Sequence, residues 1–158
     1  MRTSPTRAKI QSLAQLHRWA RTQRSITFTN GCFDLLHVGH VRYLAAAKRL
    51  GGSLVVAVNS DASVRRLKGP GRPVQPAHER AEILAALACV DAVTVFGAAT
   101  PERLIRALKP DRLVKGGDWA KAQIVGAAFV ESYGGRVVRI PFVPGRSTTR
   151  LLQRLRRA

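Results

Sequence analysis

Short, continuous apolar runs along the chain alternate with longer segments in which apolar positions recur every three to four residues. The short runs end in glycine or polar residues, as buried strands often do. The run SLVVAVN is apolar almost throughout, which is typical of a strand that is covered on both faces of a sheet. Together, the runs predict five β-strands, at 26–31, 53–59, 92–96, 111–117 and 136–143.

The periodic segments predict amphipathic helices between the strands. They lie at 41–52, 62–68, 77–90, 100–110, 122–135 and 147–157, and an N-terminal helix would place Ile10, Leu13, Leu16 and Ala20 on one face. Residues 69–76 contain two glycines and three prolines and therefore predict a loop. Thr100 is expected to be the N-cap of the helix at 100–110, with Pro101 as its first residue.

The regular alternation of strand and helix predicts an α/β fold, a Rossmann-like, doubly wound, five-stranded parallel sheet with helices on both faces. The 158 residues suit one such domain, which we place at 25–158 after a basic N-terminal helix at 1–24. No apolar run approaches the ~18–20 residues of a membrane helix. Two cysteines, Cys32 and Cys89, lie far apart, and this predicts reduced thiols and a cytoplasmic location.

The net charge of +18 is concentrated at the two ends of the chain. Residues 1–24 hold six Lys/Arg and residues 136–158 hold seven, with no acidic residue in either range. Such a charge is compatible with nucleic acid as a partner and also with a small enzyme for anionic substrates. The low aromatic content of 6% and the lack of a recognisable nucleic-acid module argue against the first alternative.

Glycines and polar side chains follow most of the predicted strands at their carboxyl ends. In a parallel sheet these ends share one edge, and ligands bind there. The residues are Asn30 and Gly31, 59–61, 115–118 and 145–149. We therefore expect one site to be assembled from segments that are distant in sequence.

The segment TNGCFDLLHVGH places two histidines at the expected start of a helix. His37 and His40 share a face if the segment is helical, and a helix N-terminus attracts anions. Gly39 would let a ligand approach the backbone closely. A zinc pair lacks evident third and fourth ligands, and surface or capping histidines are a second alternative. The other polar residues expected at this edge favour the third, in which the imidazoles stabilise a phosphate.

Four motifs in a fixed order resemble a known enzyme family. GCFDLLHVGHVRYLAAAKRLG is similar to the HxGH signature of the nucleotidyltransferase superfamily, which has a cytidylyltransferase-like fold. LKGPGRP, LVKGGDW and GRSTT follow it and narrow the resemblance to the adenylyltransferases of D-glycero-β-D-manno-heptose 1-phosphate. The resemblance extends over about 26–152, most of the chain.

The resemblance implies that AMP is moved from ATP to the heptose 1-phosphate, giving ADP-heptose and pyrophosphate for lipopolysaccharide core synthesis. Mg²⁺ would arrive with ATP and not occupy a protein cage. A cytidylyltransferase for glycerol 3-phosphate is the alternative within the superfamily. The resemblance also implies a homo-oligomer and, because only 25 residues precede the first strand, a separate heptose kinase.

The resemblance further implies three groups of site residues. His37, His40 and Lys68 would be catalytic and act on the phosphates. The residues expected to bind ATP are Asn30, Gly31, Cys32, Phe33, Gly39, Asn59, Gly117, Asp118, Ser147 and Thr148. Those expected to bind the sugar phosphate are Asp34, Arg72 and Lys115. A phosphate monoester has a second pKa near ~6 and is already anionic at neutral pH, so the reaction requires no general base.

Overall fold

Five parallel strands form one sheet in the computed structural model, which describes residues 5–117, 120–141, 144–145 and 148–155. The strands are β1 (Ile26–Gly31), β2 (Ser53–Asn59), β3 (Ala92–Phe96), β4 (Arg112–Gly116) and β5 (Arg136–Ile140). Their order in the sheet is β3-β2-β1-β4-β5, and every neighbouring pair is parallel. The predicted doubly wound α/β fold is confirmed.

Helices cover both faces of this sheet. They are α1 (Pro5–Ala8), α2 (Leu13–Ala20), α3 (Val38–Arg49), α4 (Asp61–Lys68), α5 (Ala77–Ala86), α6 (Glu102–Leu108), α7 (Ala127–Ser132) and α8 (Thr148–Leu155). One apolar cluster joins the sheet to α2, α6 and α7 through Leu16, Ile105 and Val130. A second cluster, on the other face, joins it to α3 and α5 through Leu44 and Leu84. No helix in the described ranges has both the length and the apolar run needed to cross a membrane.

Several helix boundaries differ from the sequence predictions. The helix expected at 122–135 is a 3₁₀ turn (Lys121–Gln123) followed by α7. Gly126 separates the two with a φ of +86°, and a Cβ atom there would lie 2.7 Å from Cδ1 of Ile105. Pro101 and not Thr100 caps α6. The helix expected at 41–52 begins earlier, at Val38, and the helix expected at 77–90 ends at Ala86.

The N-terminal segment folds as two short helices, where the sequence predicts one. Between them, the chain runs beside the edge strand β3: the Val93 N–H donates to Lys9 O, and the Gln11 N–H donates to Val93 O, both at 2.8 Å. Leu16 on α2 is 1% exposed within the first apolar cluster. Residues 5–25 are therefore packed against the sheet, and the chain between the two helices covers one of its edges.

The order in which strands are added to the sheet reverses between β1 and β4, although all the strands are parallel. From β1 the chain proceeds outward through β2 and β3, and it then returns to the other side of β1 for β4 and β5. Side chains at the carboxyl ends of β1 and β4 consequently border the crevice in which doubly wound sheets bind ligands. The register pairs Thr29 with Val114, so Asn30 and Lys115 come next on their strands.

Replacing Leu16 with alanine tests the contribution of the N-terminal segment to the core. Because Leu16 is fully buried, L16A is expected to lower the free energy of unfolding by about 2–5 kcal/mol in urea titrations. Leu13 on the same helix is 52% exposed, and L13A should change stability by less than about 0.5 kcal/mol. Equal effects of the two variants would contradict the packing described here.

Candidate active site

The turn between β1 and α3 is fixed by close packing of Gly31 against Phe33. A Cβ atom on Gly31 would lie 3.0 Å from Cε2 of the Phe33 ring, so a larger residue would displace that ring. Phe33 itself has a φ of +45°, which is strained for a residue with a side chain, and its ring is buried in the second apolar cluster. Packing of this ring is therefore what holds the turn in its shape.

His37 and His40 lie side by side at the start of α3. His37 is the N-cap residue, and its carbonyl oxygen accepts hydrogen bonds from the N–H groups of His40 (2.9 Å) and Val41 (3.2 Å). The two imidazole rings stack with centroids 3.8 Å apart, and Phe33 packs edge-on against His40 at 5.3 Å. Gly39 is buried in the first turn between them. The pairing that the spacing predicts is thus present at a helix N-terminus.

Burial, followed by the neighbouring imidazole of His37, lowers the pKa of His40 to about 4. His40 is therefore neutral at pH 7 and can donate a hydrogen bond without carrying a charge. Its buried Nδ1 atom has no hydrogen-bond partner within the described part of the chain. A neutral imidazole beside a helix N-terminus is suited to meet an anionic group.

Asp34 anchors the loop between α4 and α5. One carboxylate oxygen accepts a hydrogen bond from Arg72 Nε at 2.6 Å, and the other accepts from the N–H groups of Val74 (2.8 Å) and Gln75 (3.0 Å). The Asp34 side chain is 1% exposed and that of Arg72 is 16% exposed. The structure thus pairs these two predicted substrate-binding residues with each other. Through these contacts Asp34 holds the loop between α4 and α5 in place.

Arg80, on α5, was not predicted as a site residue. Its guanidinium donates to Asp61 Oδ1 (2.7 Å) and to three carbonyl oxygens, those of Cys32, Asn59 (2.8 Å) and Gln75 (2.9 Å). The Arg80 side chain is 0% exposed. It connects the turn after β1, the end of β2, the start of α4 and the loop before α5.

A sequence signal for Arg80 did exist. Arg80 adjoins Ala81 and lies four residues before Leu84, on the face of α5 that is buried against the sheet. A charged residue on an apolar helix face is rarely buried unless it is paired. The acceptors are mostly backbone carbonyls, however, and no sequence pattern marks them.

The remaining predicted residues after β2 lie at two different depths. Asn59 is 4% exposed and donates from Nδ2 to Ser63 Oγ at 3.0 Å, so its amide is engaged inside the protein. Lys68 is exposed at the end of α4, and Gly69 follows with a φ of +87°. The exposed Lys68 side chain can therefore contact a ligand at the carboxyl edge of the sheet. The Asn59 side chain instead joins the end of β2 to α4 through Ser63.

Residues at the end of β4 border the turn from the other side. Lys115 Nζ donates to Asn30 Oδ1 at 2.7 Å, and burial lowers the pKa of Lys115. The N–H of Gly117, which has a φ of +96°, donates to Ile140 O at 2.9 Å. Thr148 Oγ1 donates to Leu35 O at 3.4 Å and brings the start of α8 to the turn. Asp118 and Ser147 lie outside the described residues.

Cys32 lies among positive charges without becoming an activated thiol. Burial raises its pKa, while the charges of Lys68, Arg80 and Arg72 oppose this effect. Cys32 therefore lacks the lowered pKa of a nucleophilic cysteine. The opposing charges nevertheless show that the turn lies in a positive field, which is suited to phosphates.

Carboxylates that face this turn are already engaged by protein groups. Asp34 accepts three hydrogen bonds, and Asp61 is paired with Arg80. In the part of the chain that the structure describes, no group of three or more His, Cys, Asp and Glu side chains is placed to hold a metal ion.

The doubly wound sheet and the histidine pair at its first crossover helix together define a Rossmann-like nucleotidyltransferase domain. A model of the cytidylyltransferase-like family matches residues 28–143. The chain belongs to this family. The superfamily inferred from the HxGH motif is thereby confirmed.

Close relatives share the same region. The bifunctional protein HldE of Syntrophotalea carbinolica is 55% identical over 149 residues, which are 94% of this chain and 30% of the relative. HldE of Trichlorobacter lovleyi is 58% identical over 132 residues, 84% of this chain and 27% of the relative. The chain thus spans less than a third of the length of these relatives.

Solved structures agree with the fold. The lipopolysaccharide core biosynthesis protein of Thermoplasma volcanium superimposes with a TM-score of 0.62 at 27% identity and covers 75% of this chain and 96% of its own. The pantoate-β-alanine ligase of Francisella tularensis superimposes with a TM-score of 0.59 at 16% identity, covering 89% of this chain and 68% of its own. The second similarity concerns the fold alone.

Replacing Arg80 tests its role in holding the strand ends. R80A leaves buried carbonyl groups without donors, and we expect the free energy of unfolding to fall by about 3–5 kcal/mol. Arg66, an exposed arginine that donates to Gly97 O, offers a matched control: R66A should cost less than about 0.5 kcal/mol. Urea titration measures the free energy of unfolding of both variants. A loss as small for R80A as for R66A would contradict the role of Arg80 in holding the strand ends together.

Titration of His40 followed by NMR tests the state of the histidine pair. The His40 signal, assigned with the variant H40A, is expected to remain that of neutral imidazole down to about pH 5. H37A should raise the pKa of His40 without restoring its ordinary value, because burial is the larger cause. Since the unfolded chain binds this proton first, His40 should contribute a loss of stability as pH falls from about 6.5 towards about 4. A His40 that is charged at pH 6 would contradict this environment.

Proposed function

We propose that this domain transfers AMP from ATP to D-glycero-β-D-manno-heptose 1-phosphate, releasing pyrophosphate and forming ADP-heptose. The observation that carries the proposal is the stacked histidine pair at the N-terminus of α3, beside the crevice where the sheet order reverses. The ordered motifs identify the acceptor, and the Thermoplasma neighbour is described as a lipopolysaccharide core biosynthesis protein. We place this chain in the same branch of metabolism.

The proposed reaction is a single displacement at the α-phosphorus of ATP. An oxygen of the sugar phosphate forms a new bond to that phosphorus, and the bond to the β-phosphate oxygen breaks with the electron pair leaving on pyrophosphate. The nucleophile is already anionic, since the second pKa of a phosphate monoester is near ~6. What the protein must supply is orientation and stabilisation of negative charge.

The site residues divide this task according to their positions. His37, His40 and the start of α3 would stabilise charge on the α- and β-phosphates, and the exposed Lys68 would follow the leaving group. Thr148, with Ser147, would contact the β- and γ-phosphates. The backbone of 31–33 and 39 would lie against the triphosphate. Asn59, Gly117 and Asp118 would support the nucleoside.

Asp34 and Arg72 would act through the loop that they hold in place. The carboxylate of Asp34 is buried and accepts hydrogen bonds from Arg72 and two backbone N–H groups, which makes it a poor Mg²⁺ ligand. We propose that Mg²⁺ enters with ATP, coordinated mainly by phosphate oxygens and water, where it would neutralise charge on the triphosphate.

The chemistry also implies partners and a location. A sugar 1-phosphate acceptor requires a preceding phosphoryl transfer, so we propose a heptose kinase as the enzyme that supplies it. ATP as a substrate and two free cysteines, Cys32 and Cys89, favour the cytoplasm. We further propose a homo-oligomer, on the basis of the family resemblance alone.

A cytidylyltransferase for glycerol 3-phosphate is the second candidate, because the matching family model is described as cytidylyltransferase-like. Thermal denaturation with each nucleotide separates the two. We expect ATP with Mg²⁺ to raise the Tm more than CTP does. Stabilisation by CTP alone would replace the proposed function with the second candidate.

A pyrophosphate-release assay with ATP and a panel of sugar 1-phosphates tests the proposed reaction. The heptose 1-phosphate is expected to be the best acceptor. H37A and H40A should each reduce kcat by about 10²–10³-fold, because each removes a donor to the developing charge. His17 is an exposed histidine on α2, and H17A should retain full activity. Activity within a few-fold of the unchanged protein in H37A and H40A would show that the pair is structural.

A further inference from the structure

Arginine residues stand at the starts of four adjacent strands, on the edge of the sheet opposite to the candidate active site. All the strands begin at this edge, which we call the amino edge. Arg24 lies two residues before β1, and Arg49 is the last residue of α3, which leads into β2. Arg112 and Arg136 are the first residues of β4 and β5. The sheet order β2-β1-β4-β5 therefore places the four arginines in a row.

The strand starts that carry this row are close together. A Cβ atom on Gly51, just before β2, would lie 3.7 Å from Nη2 of Arg112, so the guanidinium of β4 extends across β1. The Arg136 N–H donates to Asp111 O at 2.8 Å and joins the starts of β5 and β4. Neighbouring strands are ~4.8 Å apart, which is less than the Debye length of ~10 Å at ~0.1 M salt. The charges of the row therefore act together on a partner.

Two carboxylates directly precede strands at the amino edge, and both accept hydrogen bonds from protein groups. Asp91 accepts from Lys48 Nζ at 2.5 Å and is neutralised by this ion pair. Asp111 accepts from the Ile26 N–H at 2.7 Å and remains a single negative charge beside the row. Lys109, exposed at the end of α6, adds a further cation. Positive charge is thus in clear excess at this edge.

The ends of helices account for only part of this charge. Arg49 and Lys109 stand at the carboxyl ends of α3 and α6, where cations are favourable. Arg24, Arg112 and Arg136 lie outside the helices, at or before strands, and a sheet has only a small net dipole. Like charges at this spacing repel each other, and a bound polyanion would remove the repulsion.

The shape of the amino edge favours a lipid surface over a nucleic acid as the polyanion. In the described part of the chain, this edge consists of strand starts and helix ends, whereas the reading of a nucleic-acid groove uses an inserted helix or β-ribbon. Tyr133 is 38% exposed after α7, and its hydroxyl donates to Pro110 O at 2.8 Å, next to the start of β4. An aromatic ring with a polar tip beside several cations is typical of contact with anionic headgroups.

We propose that the amino edge docks this domain on an anionic lipid surface through the row of Arg49, Arg24, Arg112 and Arg136. The contact is peripheral and electrostatic. Strands of five to seven residues hold the amino and carboxyl edges ~15–25 Å apart, so the histidine pair faces away from the lipid. The candidate active site therefore stays open to its substrates in the docked state. The docking surface is independent of which acceptor the site uses.

Sedimentation with lipid vesicles tests this surface. The protein should bind vesicles that contain phosphatidylglycerol at ~0.1 M salt and should not bind vesicles of phosphatidylcholine alone. The triple variant R24Q/R49Q/R136Q removes three charges from the row. It should bind phosphatidylglycerol vesicles about 30–100-fold more weakly, because each cation near an anionic surface contributes about fivefold.

A second triple variant, R65Q/R66Q/R103Q, is the matched control. It removes the same charge from exposed arginines of α4 and α6. Arg66 donates to Gly97 O just after β3, which places it towards the carboxyl edge, and Arg103 is in the first turn of α6. This charge is more than a Debye length from the docked lipid, so the control should bind vesicles within about threefold of the unchanged protein.

Further measurements separate docking from folding and from catalysis. Both triple variants should keep the Tm of the unchanged protein and its pyrophosphate release without vesicles, because the six arginines lie outside the candidate active site. If R24Q/R49Q/R136Q is unstable, the single variants R24Q and R49Q replace it, and each should weaken vesicle binding about fivefold. Failure of the proposed reaction would leave the vesicle result unaffected.

Four results would overturn the assignment. They are no binding of the unchanged protein to phosphatidylglycerol vesicles, equal binding to phosphatidylcholine, equal weakening in the two triple variants, and preference for another polyanion. Duplex DNA is the probe for the last of these. If DNA displaces the vesicles at equal phosphate concentration and its own binding is lost in R24Q/R49Q/R136Q, the amino edge is a nucleic-acid surface and not a lipid surface.

Discussion

The buried guanidinium of Arg80 is the contact on which the geometry of the site most depends. It joins the carbonyl groups of Cys32, Asn59 and Gln75 and the carboxylate of Asp61. These groups belong to four segments, namely the turn after β1, the end of β2, the start of α4 and the loop before α5. Because arginine offers five donors in a rigid plane, one side chain fixes the relative positions of all of them.

Two kinds of group in this site can stabilise a bound anion: a pair of histidines at a helix N-terminus, and lysine side chains on other elements of the fold. The histidine pair stands at a helix N-terminus, where backbone N–H groups and the neutral imidazole of His40 contribute dipoles without a full charge. The cations Lys68 and Lys115 stand on either side of the turn, one exposed and one partly buried. In the proposed reaction, such an arrangement would offer separate groups to the two anionic substrates.

The positions of the strands and of the candidate site could be predicted because both follow from patterns of neighbouring residues in the sequence. The strand at 92–96 was predicted to the residue, since the apolar run AVTVF is bounded by Asp91 and Gly97. The histidine pair was predictable because the side chains of an N-cap residue and of the residue three positions later meet at the first turn of a helix. The break at Gly126 was not predictable, because its cause is the neighbouring Ile105 of a different helix.

By itself, the sequence determined the order of elements, the parallel sheet and the edge at which the polar residues gather, since these depend on periodicity and on the handedness of crossovers. Only the tertiary structure decided which partner each polar side chain has. Asp34 binds Arg72 and the loop, Arg80 binds backbone carbonyls, and Lys115 binds Asn30. Each contact joins residues far apart in the chain, and hydrogen-bond partners are set by distance in space, which no local pattern specifies.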